Sequence, residues 1–251
     1  MIEISKHKIS ALLANQYSSL FSSLNQKIDL LYGHLNNDFL ITTNKVRRYN
    51  AIARQKLASG DLPTNLSHKI NNAVKSFDTI LIELQYHDII RQKLEHIHTI
   101  ESALSKEFNL IYEKQDKFLH PHYTLVMYDL MSLAYNQLSN IRREYMLASN
   151  KIQSILRKLW ADREISKTLE LFLFNTAENL RNVITALDLI IKMHETLRQE
   201  NPEFEIRISD DRRMKILNEV KSLYTMDAER EVFNQTFGIQ EEFVTDDVTF
   251  F

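Results

Sequence analysis

Residues that interrupt helices are scarce in this chain, and that scarcity limits its fold more than any motif does. Only three glycines and three prolines occur among 251 residues, whereas average usage would give about 18 and about 12. Sheet proteins need such residues at their turns, and nucleotide-binding folds need glycine in the loops around phosphate. The chain is therefore predicted to be almost entirely helical. Rossmann domains, P-loops, protein-kinase folds and the ATP-binding half of sensor kinases are excluded.

The remaining composition excludes further kinds of site and partner. The chain has no cysteine, which excludes disulfide frameworks, thiol nucleophiles and zinc sites built on cysteine. Its formal net charge is −2, so no bulk attraction to nucleic acid or anionic membranes is expected. The apolar run at 171–174 is too short to span a bilayer, and residues 1–10 lack the apolar core of a signal peptide. We therefore expect a cytoplasmic protein without membrane insertion.

The few interruptions divide the chain into long segments. Turn clusters lie at 59–65, 119–122 and 201–202, and weaker interruptions lie at Gly33 and at 161–162. Between them, the spacing of apolar residues predicts four long helices. These predicted helices cover residues 6–58, 65–118, 122–160 and 163–200.

A shorter fifth helix is predicted after the four long ones. It covers residues 210–236, and Gly238 would close it as a C-cap. Before it, residues 203–208 alternate charged and apolar side chains, which predicts a short extended piece.

The second segment carries the clearest apolar stripe. Its apolar residues recur at steps of three and four, as in a coiled coil. A helix of about fifty residues would be about 75 Å long, and it needs a partner helix to bury such a stripe. Four antiparallel segments suffice within one chain, and two hairpins from a homodimer would also do so. We predict an all-α fold, an elongated antiparallel four-helix bundle or coiled coil formed by residues 1–238. The stripe consists of Leu66, Ile70, Val74, Phe77, Leu81, Leu84, Leu94, Ile97, Leu104, Phe108 and Ile111.

A polar patch at residues 85–92 interrupts this stripe. Counted at about 100° per residue from the preceding stripe leucine, Asp88 projects at about 40° and Gln92 at about 80°. The two would lie one turn apart on the flank of the stripe, within reach from outside. Ile89, at about 140°, projects outward, where an apolar side chain indicates a contact surface. His87 projects into the stripe.

A carboxylate one turn from a carboxamide suits phosphoryl transfer. The amide of Gln92 has both a donor and an acceptor, so it can hold a water in line with a phosphoryl group without acting as a base. Positioning accounts for most of the catalysis in such reactions. The neighbouring Asp88 carboxylate would bind a cation, such as a lysine of a partner.

The run at 84–94 resembles the active-site segment of the CheZ family of chemotaxis phosphatases, which has an aromatic residue, a polar residue, Asp, three residues and then Gln. In that family the Gln orients the water that attacks the aspartyl phosphate of a response regulator, and the Asp contacts the regulator's lysine. The resemblance assigns the first role to Gln92 and the second to Asp88. The regulator itself holds the Mg²⁺, so the resemblance implies no cofactor bound by this chain.

Two positions depart from the family pattern. The family has Gln before the Asp and a small Gly before the catalytic Gln, whereas this chain has His87 and Arg91. Arg91 would either crowd an approaching receiver domain or pair with it. Together with Gln85 and Ile89, it is expected to contact the regulator.

The last stretch of the sequence is acidic and aromatic. Residues 239–251 are predicted to form a flexible tail outside the bundle. The CheZ family carries a flexible tail that ends in an acidic amphipathic helix and docks on the regulator. Apolar residues at positions 244, 248 and 251 fit an i, i+4, i+7 anchor of this kind. Packing on the bundle is the alternative for Phe250 and Phe251. The tail residues expected to bind the regulator are Phe243, Val244, Asp247, Val248, Phe250 and Phe251.

Two alternatives stay open. The same run is similar to the His-Asp-x-x-x-Gln segment in the dimerisation helix of NarX/DesK-type sensor histidine kinases, which would make His87 a phosphoacceptor in a phosphotransfer module. In the other alternative the patch is a solvated face of a non-catalytic helical adaptor, and Arg91 and Glu95 form an ordinary i, i+4 pair.

Metal and nucleic-acid sites are not predicted. His96 and His98 would point about 200° apart on a helix, so they cannot share an ion. The pair His120 and His122 lies in a turn, where polar residues are expected. Basic residues occur as scattered pairs and form no contiguous stripe with interleaved aromatics.

Overall fold

The computed structural model describes residues 11–60, 62–114, 122–161, 163–199 and 208–239. All regular structure in these ranges is helical, without a strand, which confirms the all-α prediction. Within them, no helix is long and apolar enough to cross a membrane. The elements are α1 (Ala11–Ala58), α2 (Thr64–Leu84), α3 (Tyr86–Lys114), a 3₁₀ turn (Tyr123–Val126), α4 (Met127–Ala161), α5 (Arg163–Gln199), α6 (Asp210–Lys221) and α7 (Asp227–Phe237).

The first two long segments run antiparallel. Near one end of the bundle, the hydroxyl of Ser18 on α1 donates to Asn109 Oδ1 on α3 at 2.8 Å. Toward the other end, Asn50 Nδ2 on α1 donates to Asp78 Oδ1 on α2 at 2.7 Å. Early residues of α1 therefore meet late residues of α3, and late residues of α1 meet α2.

α4 and α5 complete the bundle. Lys93 Nζ on α3 donates to Glu144 Oε2 on α4 at 2.6 Å, and Lys151 on α4 pairs with Glu83 on α2. These two contacts set α4 antiparallel to α2 and α3, and α5 packs against both α4 and α1. The four long segments thus close an up-down-up-down bundle within a single chain, as in other four-helix bundles.

The core of the bundle follows the predicted stripe. Seven of its residues are buried and the other four are half-buried. Burial of one such side chain contributes about 1.5–3 kcal/mol, which is why a periodic stripe specifies the helix face so reliably. The buried members are Val74, Phe77, Leu84, Leu94, Ile97, Leu104 and Phe108.

Two predicted features of the long helices are wrong. The single helix over 65–118 is divided at Gln85, where α2 ends and α3 begins. The interruption expected at Gly33 does not occur, because α1 continues through it. An interior glycine costs a helix only about 1 kcal/mol, and the neighbouring Leu31 and Leu35 are buried in the core, so packing holds the helix together.

The predicted fifth helix is in fact two short helices, α6 and α7. They are separated at residues 222–226, where no glycine or proline gives a signal. Tyr224 in this turn is buried against the rings of His96 and Phe233, so the turn serves to insert an aromatic side chain. Gly238 closes α7 in the left-handed conformation at φ 65°, as predicted.

α6 and α7 lie against the long bundle near the start of α4. Arg213 on α6 forms two hydrogen bonds with the carboxylate of Asp129, at 2.7 and 2.8 Å. Gln137 Nε2 donates to the backbone carbonyl of Glu229 on α7 at 2.9 Å. The predicted extended piece at 203–208 and the predicted segment ends 6–10 and 115–118 lie outside the described residues, except for Ile208.

Candidate functional site

The polar patch coincides with a local tightening of the helix. The Gln85 N–H donates to Ile82 O and the Asp88 N–H donates to Gln85 O, both at 3.1 Å and both across three residues rather than four. Such 3₁₀-type bonds advance about 120° per residue, compared with about 100° in an α-helix. An uninterrupted helix would separate Glu83 and Lys93 by about 80°, and one tightened turn reduces this to about 20°. Both side chains thereby reach α4.

Asp88 and Gln92 lie next to each other on the outer face of α3. Gln92 Nε2 donates to Asp88 Oδ2 at 3.4 Å. The side chain of Asp88 is 56% exposed, and Gln92 is half-buried. The structure thus places the two in the adjacent, accessible arrangement that the helical projection predicts.

Arg91 forms hydrogen bonds with one oxygen of the Asp88 carboxylate. Its Nε and Nη2 donate to Asp88 Oδ1 at 3.2 and 3.1 Å, and its Nη1 lies 3.9 Å from Glu95 Oε2. Exposed pairs of this kind contribute only about 0–1 kcal/mol. A lysine from another protein could therefore displace Arg91 from Asp88 at small cost.

Apolar side chains border the patch. Ile82 is 62% exposed and Tyr86 is 39% exposed, while Ile89 is half-buried and Gln85 is exposed. Ile82 and Tyr86 were missed among the predicted contact residues. Their projection at about 160° and about 200° on the same helical wheel could have found them.

His87 is buried behind the patch. Its Nδ1–H donates to Leu84 O at 3.1 Å, and its Nε2 accepts from the Tyr145 hydroxyl at 3.2 Å. The ring stacks on Phe39 with centroids 5.3 Å apart. Burial lowers the pKa of His87 from 6.5 to about 4, against a smaller opposing effect of the bond to Leu84. With both ring nitrogens engaged inside the bundle, the geometry disfavours phosphorylation of this residue.

A small cavity adjoins the imidazole of His87. Its volume is about 10 Å³, room for at most one water. Part of its wall is polar, and no organic ligand would fit inside it. The polar residues that line it, besides His87 and Tyr145, are Thr42, Thr176 and Asn179.

Two ion pairs hold α4 beside the patch, and neither was predicted. Lys93 is 2% exposed and binds the Glu144 carboxylate, while Glu83 is buried and binds Lys151. Lys93 follows Gln92 directly, so one turn of α3 carries an outward amide and an inward ammonium. Neither pairing could be read from spacing, because the partners are more than fifty positions apart.

The histidine pairs do not converge on a metal site. His96 Nδ1 donates to Glu229 Oε1 at 2.8 Å, whereas His98 lies 3.4 Å from Asp29 Oδ1 on a different helix. His122 pairs with Glu219. No group of three His, Cys, Asp or Glu side chains arranged to bind a metal ion occurs within the described ranges.

The tail part of the predicted site lies outside the described residues, which end at 239. The tail residues concerned are Phe243, Val244, Asp247, Val248, Phe250 and Phe251. His120 of the turn pair also lies outside the described residues.

Comparison of the chain with protein-family models, with curated proteins and with solved structures finds no match.

Proposed function

We propose that this protein accelerates the dephosphorylation of a chemotaxis or two-component response regulator in the cytoplasm. The observation that supports this most directly is the carboxamide of Gln92 beside the carboxylate of Asp88 on an accessible face of α3. Because both side chains stand on one rigid helix, little ordering entropy would be lost on engaging a partner.

In this proposal the regulator provides most of the active site. The regulator contributes the aspartyl phosphate, the Mg²⁺ and a lysine, and Asp88 binds that lysine. Gln92 holds a water in line with the phosphorus. The water oxygen attacks, the bond from phosphorus to the aspartyl oxygen breaks, and inorganic phosphate leaves with the free carboxylate regenerated. The acidic tail binds the regulator and raises its local concentration.

Exposed apolar side chains beside the patch support docking of a receiver domain there. The exposed apolar side chains of Ile82 and Tyr86 border the patch and would become buried on docking. Arg91 would exchange its contact with Asp88 for a contact with the receiver surface. The bundle core closes within one chain, so a second chain is not needed to bury it. A homodimer stays a prediction, which sedimentation measurements would test.

Gln92→Ala tests the catalytic assignment. Loss of the water-positioning amide is expected to lower the acceleration of phosphate loss by about 100-fold or more. The measurement is the decay of receiver domains phosphorylated by a small-molecule phosphodonor, using the set of regulators from the source organism. Circular dichroism should show unchanged helicity.

Gln235→Ala is the matched control. Gln235 Nε2 donates to Glu231 Oε1 at 3.1 Å, an exposed i, i+4 amide–carboxylate pair on α7 that resembles the pair at the patch. This variant should leave the acceleration unchanged. If no receiver decays faster with the wild-type chain, or if Gln92→Ala retains full activity, the phosphatase proposal is wrong.

A non-catalytic adaptor is the second candidate, and one observation favours it. Arg91 pairs with both Asp88 and Glu95, as expected for an ordinary solvated helix face. An adaptor would bind the receiver without altering the lifetime of its phosphate. The same decay assay, combined with a pull-down of the receiver, distinguishes the two.

A further inference from the structure

One face of α4 combines basic side chains with an exposed leucine. Leu147 is 67% exposed, a high fraction for a large apolar residue on a packed helix. At about 100° per residue, the four other members of the face lie within about 40° of it. All five side chains are exposed, and the set comprises Arg143, Leu147, Lys151, Ser154 and Lys158. We name this set the α4 basic face.

This half of α4 carries mostly positive charge. Between 142 and 158 the helix carries five basic residues and a single acid, Glu144, which is engaged by Lys93. An apolar side chain surrounded by cations favours an occupant that is both acidic and apolar. The five basic residues are Arg142, Arg143, Lys151, Arg157 and Lys158.

The chain itself contains a segment of that chemistry. Residues 240–251 carry four acids and no lysine or arginine, and valines and phenylalanines lie between and beyond the acids. The acids are Glu241, Glu242, Asp246 and Asp247.

This segment starts within reach of the α4 basic face. Asn136 on α4 donates to the Thr236 hydroxyl near the end of α7 at 2.9 Å. Leu147 lies about 16 Å further along α4, at about 1.5 Å per residue. Residues 240–251 can extend over about 40 Å. The tether therefore does not prevent docking in cis.

We propose that residues 240–251 dock on the α4 basic face of their own chain. The acidic side chains would pair with Arg143, Lys151 and Lys158, and the valines and phenylalanines would cover Leu147. Lys151 is 58% exposed and binds the buried Glu83. Because its ammonium group has three donors, it can pair with a tail carboxylate while it keeps its contact with Glu83. The tail would then be held on the bundle until a partner displaces it. This proposal does not depend on phosphatase activity.

Cross-linking in the full-length chain tests the proposal. Because the chain has no cysteine, the two introduced thiols of Leu147→Cys/Val248→Cys would be the only ones present. With a mild oxidant at low salt, an intramolecular disulfide should form at least 10-fold faster than in the control pair. The ratio should fall several-fold in 0.5 M NaCl, where charges are screened beyond about 4 Å. Non-reducing electrophoresis measures both rates.

The control is Leu189→Cys/Val248→Cys. Leu189 on α5 is 48% exposed and follows Asp188, which pairs with Arg142, so it lies at nearly the same height along the bundle beside an acid. Equal rates for the two cysteine pairs would overturn the proposal, as would a disulfide that forms only between chains. Arg143→Glu/Lys158→Glu in the Leu147→Cys/Val248→Cys background should slow cross-linking several-fold, and an unchanged rate would equally overturn the proposal.

Discussion

Two polar clusters on α3 contain similar groups but differ in their surroundings. At the outer patch, the carboxylate of Asp88 meets Arg91 and Gln92 in contact with solvent. Further along the helix, the carboxylate of Glu101 accepts a hydrogen bond from His194 Nε2 at 2.6 Å, with both side chains at most 1% exposed. Each cluster joins a carboxylate to a nitrogen donor, and solvent access is the main difference.

This difference determines which cluster can take part in recognition. Solvent compensates the loss of a partner at the outer patch, so its contacts are weak and exchangeable. Inside the bundle no water is at hand, and removal of one partner leaves a polar group unpaired. Even in the native state, Glu101 Oε2 and His194 Nδ1 have no hydrogen-bond partner among the described residues. The buried pair is therefore suited to holding helices in register, and the outer patch to binding a partner.

Glu101→Ala is expected to have the largest effect on stability. It would leave His194 buried without its acceptor and create a cavity, lowering the free energy of unfolding by about 3–5 kcal/mol. The melting temperature should fall by the order of 10 °C, as followed by circular dichroism. Glu101→Gln keeps an oxygen that accepts from His194 and should cost clearly less. A loss below about 1 kcal/mol for Glu101→Ala would break the contrast between the two clusters.

His87 links the two kinds of surroundings, because it lies directly beneath the patch but is buried. Its pKa is lowered to about 4 in the folded chain, whereas an unfolded histidine titrates near 6.5. Between those values the unfolded state binds more protons, so stability is complete above about pH 6.5 and falls as the pH drops toward 4. The full loss is about 3 kcal/mol.

His87→Phe isolates this contribution. Phenylalanine retains a ring against Phe39 but cannot be protonated, so its free energy of unfolding should fall less steeply between pH 7 and pH 4. Denaturant unfolding at several pH values gives the two curves. All other titrating groups are common to both proteins, so parallel curves would show that His87 does not titrate as its burial requires.

Local helix geometry made part of the site predictable. The contact between Asp88 and Gln92 follows from i, i+4 spacing. The burial of His87 follows from its place in the apolar stripe, and Gly238 was recognisable as a C-cap. Each of these inferences concerns residues within one or two turns, where helix periodicity fixes the neighbours.

Contacts between elements were not predictable. The acceptor contact of His87 with Tyr145 and the pairing of Lys93 with Glu144 depend on the register and rotation of α4 against α3, which no local spacing encodes. The tightening at Gln85 was missed for the same reason. It contains no glycine or proline, and the charged contacts with α4 account for it only once the bundle is assembled.

Arg91→Ala changes the outer patch directly and is expected to have the smallest effect on stability. Because Arg91 is 38% exposed and its acceptors are more exposed still, its removal should change the free energy of unfolding by less than about 1 kcal/mol. Lys93→Met, two residues along but buried against Glu144, should cost more. A larger loss for Arg91→Ala than for Lys93→Met would contradict the conclusion that contacts on the outer face of α3 are weak and that those on its inner face stabilise the bundle.

The same variant also tests whether Arg91 competes for Asp88. With Arg91 absent, the Asp88 carboxylate is released for a lysine of the regulator, so the receiver-decay assay should show faster phosphate loss at sub-saturating concentrations of the protein. A slower decay would mean that Arg91 pairs with the receiver. Since the effect on folding is small, any change in rate reports the contact between the proteins rather than the stability of the bundle.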